Sequence, residues 1–313
     1  MNISYTLPLS NAWARMKSAL FQPFDLNKWL RIGFTAFLAG LVDCNGGGGG
    51  NDNRFERHAD WDEFFRFPQS AWDWLTSHPI WFNLIILGVI LFIAIITICI
   101  WLSARGKFMF LHNVAHDAMD ISKPWHEYRR EAHSLFIWMF LFGWVAVAGF
   151  IGLMIYFFFR AKGMYFGELP PVMIFWQVAG MILMLLGYMV VMGYISLFLN
   201  DFVVPMMYRD RVGVFSGWLR FLALFFRHPL TFIIYGFFIL GLWIVAVIAI
   251  VFFALFTCCI GLLLLVIPYI GSVVLLPVTY TFRALSMEFL AQFGEDYNVF
   301  PKQEEIVVEN QVS

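Results

Sequence analysis

HNVAHD sets His112 and His116 one helical turn apart, with Asp117 beside the second. Imidazoles at i and i+4 share a helix face and can grip a zinc ion between them. The metalloprotease form of this pattern has a glutamate directly after its first histidine, serving as general base. Asn113 stands there instead, and His126, Glu127, Glu131 and His133 follow at no spacing that fixes a third ligand. The expectation is a solvated helical face that carries no stoichiometric metal.

A second collection of polar groups lies in residues 45–79. Asp52, Glu56, Asp60, Asp62 and Glu63 make this segment acidic, and Trp61, Phe64, Phe65, Trp72 and Trp74 make it aromatic. A calcium loop needs acidic oxygens at ordered intervals, and none are present. The segment reads as a flexible glycine-rich start, Gly46–Gly50, leading into an external interfacial helix that lids a helical bundle. Elsewhere Asn83, Gln177, Asn200 and Asp201 fall near the ends of apolar runs. Ion-coupled transporters keep ionisable groups at mid-membrane depth, so this sparseness argues against secondary transport. A break at Gly261, Pro268, Gly271 or Pro277 could present backbone carbonyls instead, although kinking or small-residue packing is the expected role of that series. There is no P-loop, nucleophile elbow or dinucleotide fingerprint, and no polar segment is long enough to fold as a catalytic domain. Cys44, Cys99, Cys258 and Cys259 have neither CxxC nor zinc spacing. They read as small buried hydrophobes, with a disulfide from Cys44 to Cys258 or Cys259 as the alternative. No catalytic residue, cofactor site, metal ligand or nucleic-acid partner is expected.

The elements that must position these residues are membrane helices. Hydrophobic residues make up 61% of the chain and charged ones 13%, with mean hydropathy +0.76, where a soluble domain has roughly 25% charged. Ile80–Leu102 far exceeds the ~18 apolar residues that mark a transmembrane helix. The first apolar run begins near Trp29 behind a long polar segment, which does not fit a cleavable signal. The sequence predicts an all-α polytopic membrane bundle of about six transmembrane helices, near 27–44, 80–102, 134–159, 172–199, 230–256 and 262–284. The last two are separated at TCCIG (Thr257–Gly261). Of the twenty Lys and Arg, fifteen fall in the N-terminal segment, the loops after the second and fourth spans and the C-terminal tail, or at the span ends that adjoin them (Lys28, Arg31 and Arg283). The alternate loops hold Arg54, Arg57, Arg66, Arg160 and Lys162. The positive-inside rule then puts both termini in the cytoplasm.

Short amphipathic stretches precede the odd-numbered spans. Trp13, Met16 and Leu20 stand at i, i+3 and i+7, as do Trp125, Tyr128 and Ala132, and Trp218, Phe221 and Phe225. Each trio forms one helical face. Arg15 and Lys17, Arg129 and Arg130, or Arg220 and Arg227 flank it, and Ser10, Ser122 or Ser216 precedes it as an N-cap. The even-numbered spans end alike, with RGKFMFLHNVAHD (Arg105–Asp117) matching RALSMEFLAQFGE (Arg283–Glu295) and NDFVVPMMYRD (Asn200–Asp210) as a shorter version. The chain therefore reads as three repeats of an interfacial elbow helix, a transmembrane hairpin and a cytoplasmic extension. The elbows lie near 10–22, 122–133 and 216–228, in a single membrane domain, 1–294, followed by an acidic, disordered cytoplasmic tail, 295–313. Tryptophan and apolar faces of the elbows would sink into the headgroup boundary while Trp13, Arg15, Lys17, Trp125, Arg129, Arg130, Trp218, Arg220 and Arg227 meet anionic lipid. Docking of the same faces on the bundle is the alternative.

FQPFDLNKWLRIGFTAFLAGL, the glycine-rich loop, RGKFMFLHN, HEYRREAHSLF, DFVVPMMYRDRVG and LAQFGEDY together resemble an uncharacterised bacterial multipass membrane family. That family is broadly similar to the membrane domains attached to some glycerophosphodiester phosphodiesterases. The catalytic barrel is absent, so the resemblance implies an inner-membrane protein without carrying over an activity. The expected function is non-enzymatic organisation of membrane lipids or partner proteins, with a transporter or channel component for a small solute as the alternative.

Overall fold

Long apolar runs with few helix breakers inside them produce long helices, and prolines mark where several begin. Pro79, Pro171, Pro229 and Pro268 each occupy a first helical position, where the missing N–H would be unpaired in any case. The structure is a computed structural model that describes residues 3–43, 61–167, 170–256, 265 and 267–301. Its α-helices are α1 (Thr6–Phe21), α2 (Leu26–Ala39), α3 (Trp61–Ser77), α4 (Pro79–His116), α5 (Ser122–Glu127), α6 (Arg129–Phe166), α7 (Pro171–Phe198), α8 (Val204–Asp210), α9 (Val214–Arg227), α10 (Pro229–Phe256), α11 (Pro268–Val274) and α12 (Leu276–Ala291). A π-helical turn, Leu199–Val203, joins α7 to α8 without a break. No strand occurs among the described residues.

Among the described residues, four helices are long and apolar enough to cross a membrane: Pro79–His116, Arg129–Phe166, Val172–Asp210 and Pro229–Phe256. Their most apolar stretches are only 6–11% buried, the surface expected of helices that face lipid rather than protein. Thirty-eight residues span about 57 Å at ~1.5 Å per residue, against a hydrocarbon core of ~30 Å. α4 and α6 therefore extend well beyond the apolar layer.

The predicted first and last spans look different. Asp25 caps α2 by accepting from Asn27 N at 2.8 Å, and the helix ends after 14 residues at Gly40. That is about 21 Å, short of a full crossing. α2 instead runs antiparallel beside the C-terminal half of α4. Ser103 Oγ donates to the Ala39 carbonyl at 2.8 Å, and Lys28 Nζ meets Asp117 Oδ1 at 2.9 Å. Gly106 permits the approach, since a Cβ there would lie 2.5 Å from Ala39 N. Of the predicted span 262–284, the described part divides into α11 and α12 at Leu275. The TCCIG break, Cys44, Cys258, Cys259, the glycines 46–50, Asp52, Glu56 and Asp60 lie outside the described residues.

Two compact units emerge. In the unit made of Asn45–Cys99 and Phe140–Val190, α7 is tied to α6 where the Tyr188 hydroxyl donates to the Ala146 carbonyl and its ring sits over Gly149. α3 joins the same unit by burying Phe65 among Phe158, Tyr165 and Phe166, at centroid distances of 5.5–6.0 Å. Phe67, Trp72 and Trp74 on α3 stay exposed.

The other unit comprises Met1–Cys44, Ile100–Met139 and Val191–Ser313. Its core is built from the three segments that the sequence aligns. Phe108 and Leu111 of α4, Phe202 and Met207 of the π turn and α8, and Leu285 and Met287 of α12 are each at most 1% exposed. Met16 and Leu20 of α1 and Phe232 and Tyr235 of α10 complete it. Three residues with positive φ end the three segments: Asp117 (52°), Arg211 (54°) and Gly294 (134°). At Asp117 and Arg211 a left-handed backbone closes the helix despite the side chain, whereas Gly294, with ψ 169°, adopts a different positive-φ conformation that glycine takes easily. α1 and α12 clasp each other. The Ser4 backbone and the Gln292 carboxamide exchange two hydrogen bonds of 2.9 Å, Arg15 Nε meets Glu288 Oε1 at 2.5 Å, and Tyr5 stacks on Phe289 at 5.6 Å.

Candidate functional site

A polar recess of about 920 Å³ opens beside the end of α4. His112 and His116 do share a face there, as the HNVAHD spacing predicts, with rings stacked at 4.4 Å, but the expected solvated face is corrected at His112, which is buried. The partner that organises them is Tyr208 of α8, whose hydroxyl lies 2.8 Å from His112 Nδ1 and 3.3 Å from His116 Nδ1. Tyr208 stacks on Tyr128 at 4.5 Å, and the Arg211 guanidinium lies 3.8 Å over the Tyr128 ring while pairing with Glu127. Burial pushes the Tyr128 phenol up, so it stays neutral at physiological pH. Lys123 and Arg209 also line the recess, and the strap 295–301 forms a further wall. Gly294 turns the chain into this strap, and Asn298 Oδ1 accepts from Phe300 N at 3.1 Å. Residues 295–301, at the start of the predicted tail, form this strap with Val299 buried; residues 302–313 lie outside the described ones. The remaining polar residues of the loop disperse. Glu131 is buried in the first turn of α6, whereas His126 and His133 are exposed. No group of three metal-ligating side chains occurs among the described residues.

A second constellation escaped the sequence reading. Lys107, 1% exposed, donates from Nζ to Asp43 Oδ1 at 3.1 Å and to Asn200 Oδ1 at 2.6 Å. Arg283 donates to the Asn200 carbonyl at 2.6 Å, and Asp201 Oδ2 accepts from Tyr235 at 3.0 Å. Lys107, Arg283 and Asp201 thus meet inside this unit, with the part-exposed Asp43 at the edge of the cluster. The sequence scatters them over Asp43, Lys107, Asp201 and Arg283, each at the edge of an apolar run. The π turn directs Asn200 and Asp201 into the cluster, and such turns recur at functional sites.

The interfacial residues separate into docked and exposed groups. Trp125 is half-buried against Trp101 at 5.8 Å, with the Arg105 guanidinium 4.5 Å over its ring. Trp218 packs on Trp138 at 5.5 Å with its indole N–H buried. Arg15 is held by Glu288 and lies 3.7 Å over the Phe300 ring, and Arg220 pairs with Asp210. Trp13, Lys17, Arg129, Arg130 and Arg227 are exposed. The trio faces turn inward, with Met16, Leu20, Tyr128, Ala132 and Phe221 buried. The serine caps are corrected as well. Ser10 lies inside α1, Ser122 and Ser216 make no capping bond, and Ser134 Oγ accepts from Val214 N at 3.0 Å to cap α9 from another helix.

The chain belongs to a family of unknown function, DUF7544, whose model matches residues 6–297. No curated protein and no solved structure matches it.

Proposed function

We propose, with that family membership as the premise, that the protein is a non-enzymatic multipass protein of a bacterial inner membrane. In this reading it organises membrane lipids, anionic ones foremost, or partner proteins through the interfacial helices α1, α5 and α9. The observation that carries the reading is the two-sidedness of α9. Val214, Gly217, Phe221 and Leu224 face the core, while Phe215, Leu219 and Phe226 on the other side are 72%, 70% and 75% exposed. An apolar face of this kind on a helix outside the long spans suits the headgroup boundary, and the exposed Arg227 at its end suits anionic lipid. Both termini lie on the cytoplasmic side in this reading, on the strength of the basic bias between loops.

Three-fold repetition is the finer architecture that we propose, with α2 and the α11–α12 segment standing where the first and last of the six predicted spans would be. Its support is that every interfacial helix leans on an extension. Tyr128, next to α5, stacks on Tyr208 of the second extension at 4.5 Å and on Phe108 of the first at 5.9 Å, and Phe221 of α9 stacks on Phe202 of the second at 5.4 Å. α1 clasps α12, the third extension.

Lys17, Arg129, Arg130 and Arg227 are exposed interfacial cations, and each contributes ~1 kcal/mol of attraction to an anionic surface before screening. Replacing all four by Gln should lower the phosphatidylglycerol and cardiolipin that co-purify with the protein, with topology checked in the same sample. An unchanged lipid profile in a correctly oriented variant overturns the reading. The alternative, a transporter or channel component for a small solute, draws on the Lys107 cluster, because ionisable residues in membrane bundles mark ion and solute paths. Solute flux in proteoliposomes that is abolished by Lys107→Met would favour it.

A further inference from the structure

We propose that the recess beside α4 and α8 is a binding site for a phosphate-bearing anion, with Arg209 and the His112/His116 pair as principal donors. The site lies apart from the exposed cations assigned to lipid above and does not depend on them.

The size is right for an organic phosphate. About 920 Å³ falls at the upper end of the ~300–1,000 Å³ range of small-molecule sites. A phosphoryl group fills only part of that, which leaves room for the moiety that carries it. The lining favours an anion. Lys123, Arg209 and Arg211 face two carboxylates, Glu127 and Glu295, and Arg211 and Glu127 neutralise each other in an ion pair. Arg209 is exposed and only loosely engaged, at 3.8 Å from Asp210. Two carboxylates are too few to hold a divalent cation among oxygen ligands.

The donors are organised before any ligand arrives. Tyr208 engages the Nδ1 side of both imidazoles, so their Nε2 edges are the ones left to meet a ligand. Because the rings are stacked at 4.4 Å, those edges approach an anion from one side. A guanidinium fork and two imidazoles reach several oxygens of a tetrahedral oxyanion, where a planar carboxylate offers only two. The floor is fixed by the Tyr128–Tyr208 stack. One wall is fixed by the strap after Gly294, whose Phe300 lies under the Arg15 guanidinium.

Such a phosphate could belong to a lipid headgroup or to a soluble phosphoester. The full chain in phosphatidylcholine nanodiscs, titrated calorimetrically with inorganic phosphate and with glycerol 3-phosphate, tests the soluble source. Native mass spectrometry of nanodiscs doped with phosphatidic acid tests the lipid source. Saturable binding is expected with at least one probe, weakened tenfold or more by Arg209→Gln combined with His116→Gln and weakened less by Arg209→Lys, which keeps the charge but not the fork. Binding to the soluble probes assigns a soluble ligand, and binding to phosphatidic acid alone assigns a lipid. Both variant positions lie at the surface of the recess, and an unchanged melting temperature shows that they fold. No binding of any probe, or binding that the double variant leaves unchanged, overturns the proposal.

Discussion

Lys107→Met removes the ammonium from the core cluster while keeping most of the aliphatic length, so its cost is dominated by the stranded partners. In the parent, Nζ serves Asn200 Oδ1 at 2.6 Å and Asp43 Oδ1 at 3.1 Å from a side chain that is 1% exposed. Removing one partner of a fully buried ion pair costs ~3–5 kcal/mol. Asp43 is 39% exposed, however, so its carboxylate can rehydrate, and that half of the loss shrinks toward the ~1 kcal/mol of a surface pair. Stranding the Asn200 carboxamide adds ~1–3 kcal/mol. The net expectation is a loss of about 2–4 kcal/mol, lowering the melting temperature by something on the order of 5–10 °C. Thermal unfolding in nanodiscs, followed by tryptophan fluorescence, reads this directly. Asp43→Asn alone should cost less, because the exposed partner is the replaceable one. A Lys107→Met protein that melts within a degree of the parent, or an Asp43→Asn protein that is the less stable of the two, refutes the reasoning.

Gly106→Val should destabilise by ~1–3 kcal/mol, the scale of overpacking, because its Cβ would fall 2.5 Å from the backbone of Leu38 and Ala39. Gly152→Val, which meets nothing within 4 Å, should leave the melting temperature nearly unchanged. Purified protein should carry no stoichiometric zinc, and zinc near one equivalent that is lost on combined His112→Ala and His116→Ala would contradict this. Cysteine labelling in intact cells should reach positions introduced in α3 but none introduced in the 302–313 tail, and labelling of α3 only after lysis would reverse the orientation.

How far the sequence could be read depends on how local each signal is. Ile80–Leu102 and its counterparts carry their meaning in composition alone, and the four long helices follow from it. The periodicity of Trp13, Met16 and Leu20 likewise marks a helix, and α1 and α9 occur where it points. It does not say what covers the face. Met16 and Leu20 turned out to be buried while Trp13 is exposed, because the covering surface belongs to elements distant in sequence. Hydropathy over 27–44 cannot distinguish a helix that crosses from one that docks, and the deciding feature, the missing side chain at Gly106, lies far along the chain. Lys107 was hardest of all to read. A lone lysine in RGKFMF looks like a snorkelling residue until Asp43 and Asn200, 64 and 93 residues away, are brought to it. The HNVAHD pair was visible as a helical face, but Tyr208, which organises it, comes from another helix.

The clasp between α1 and α12 also sets a clock on biosynthesis. Ser4 and Gln292, which exchange hydrogen bonds, are 288 positions apart. At ~5–20 residues per second, a ribosome takes roughly 15–60 s to make α12 after α1 has emerged. Throughout that interval the Met16 and Leu20 face lacks its final partner, so a membrane surface or a chaperone must shelter it. A ribosome stalled before α12 would leave a chain whose long helices can already be inserted while its first helix still waits. Such nascent chains should be cleaved by protease within α1, and should lose that sensitivity once residue 292 has cleared the exit tunnel.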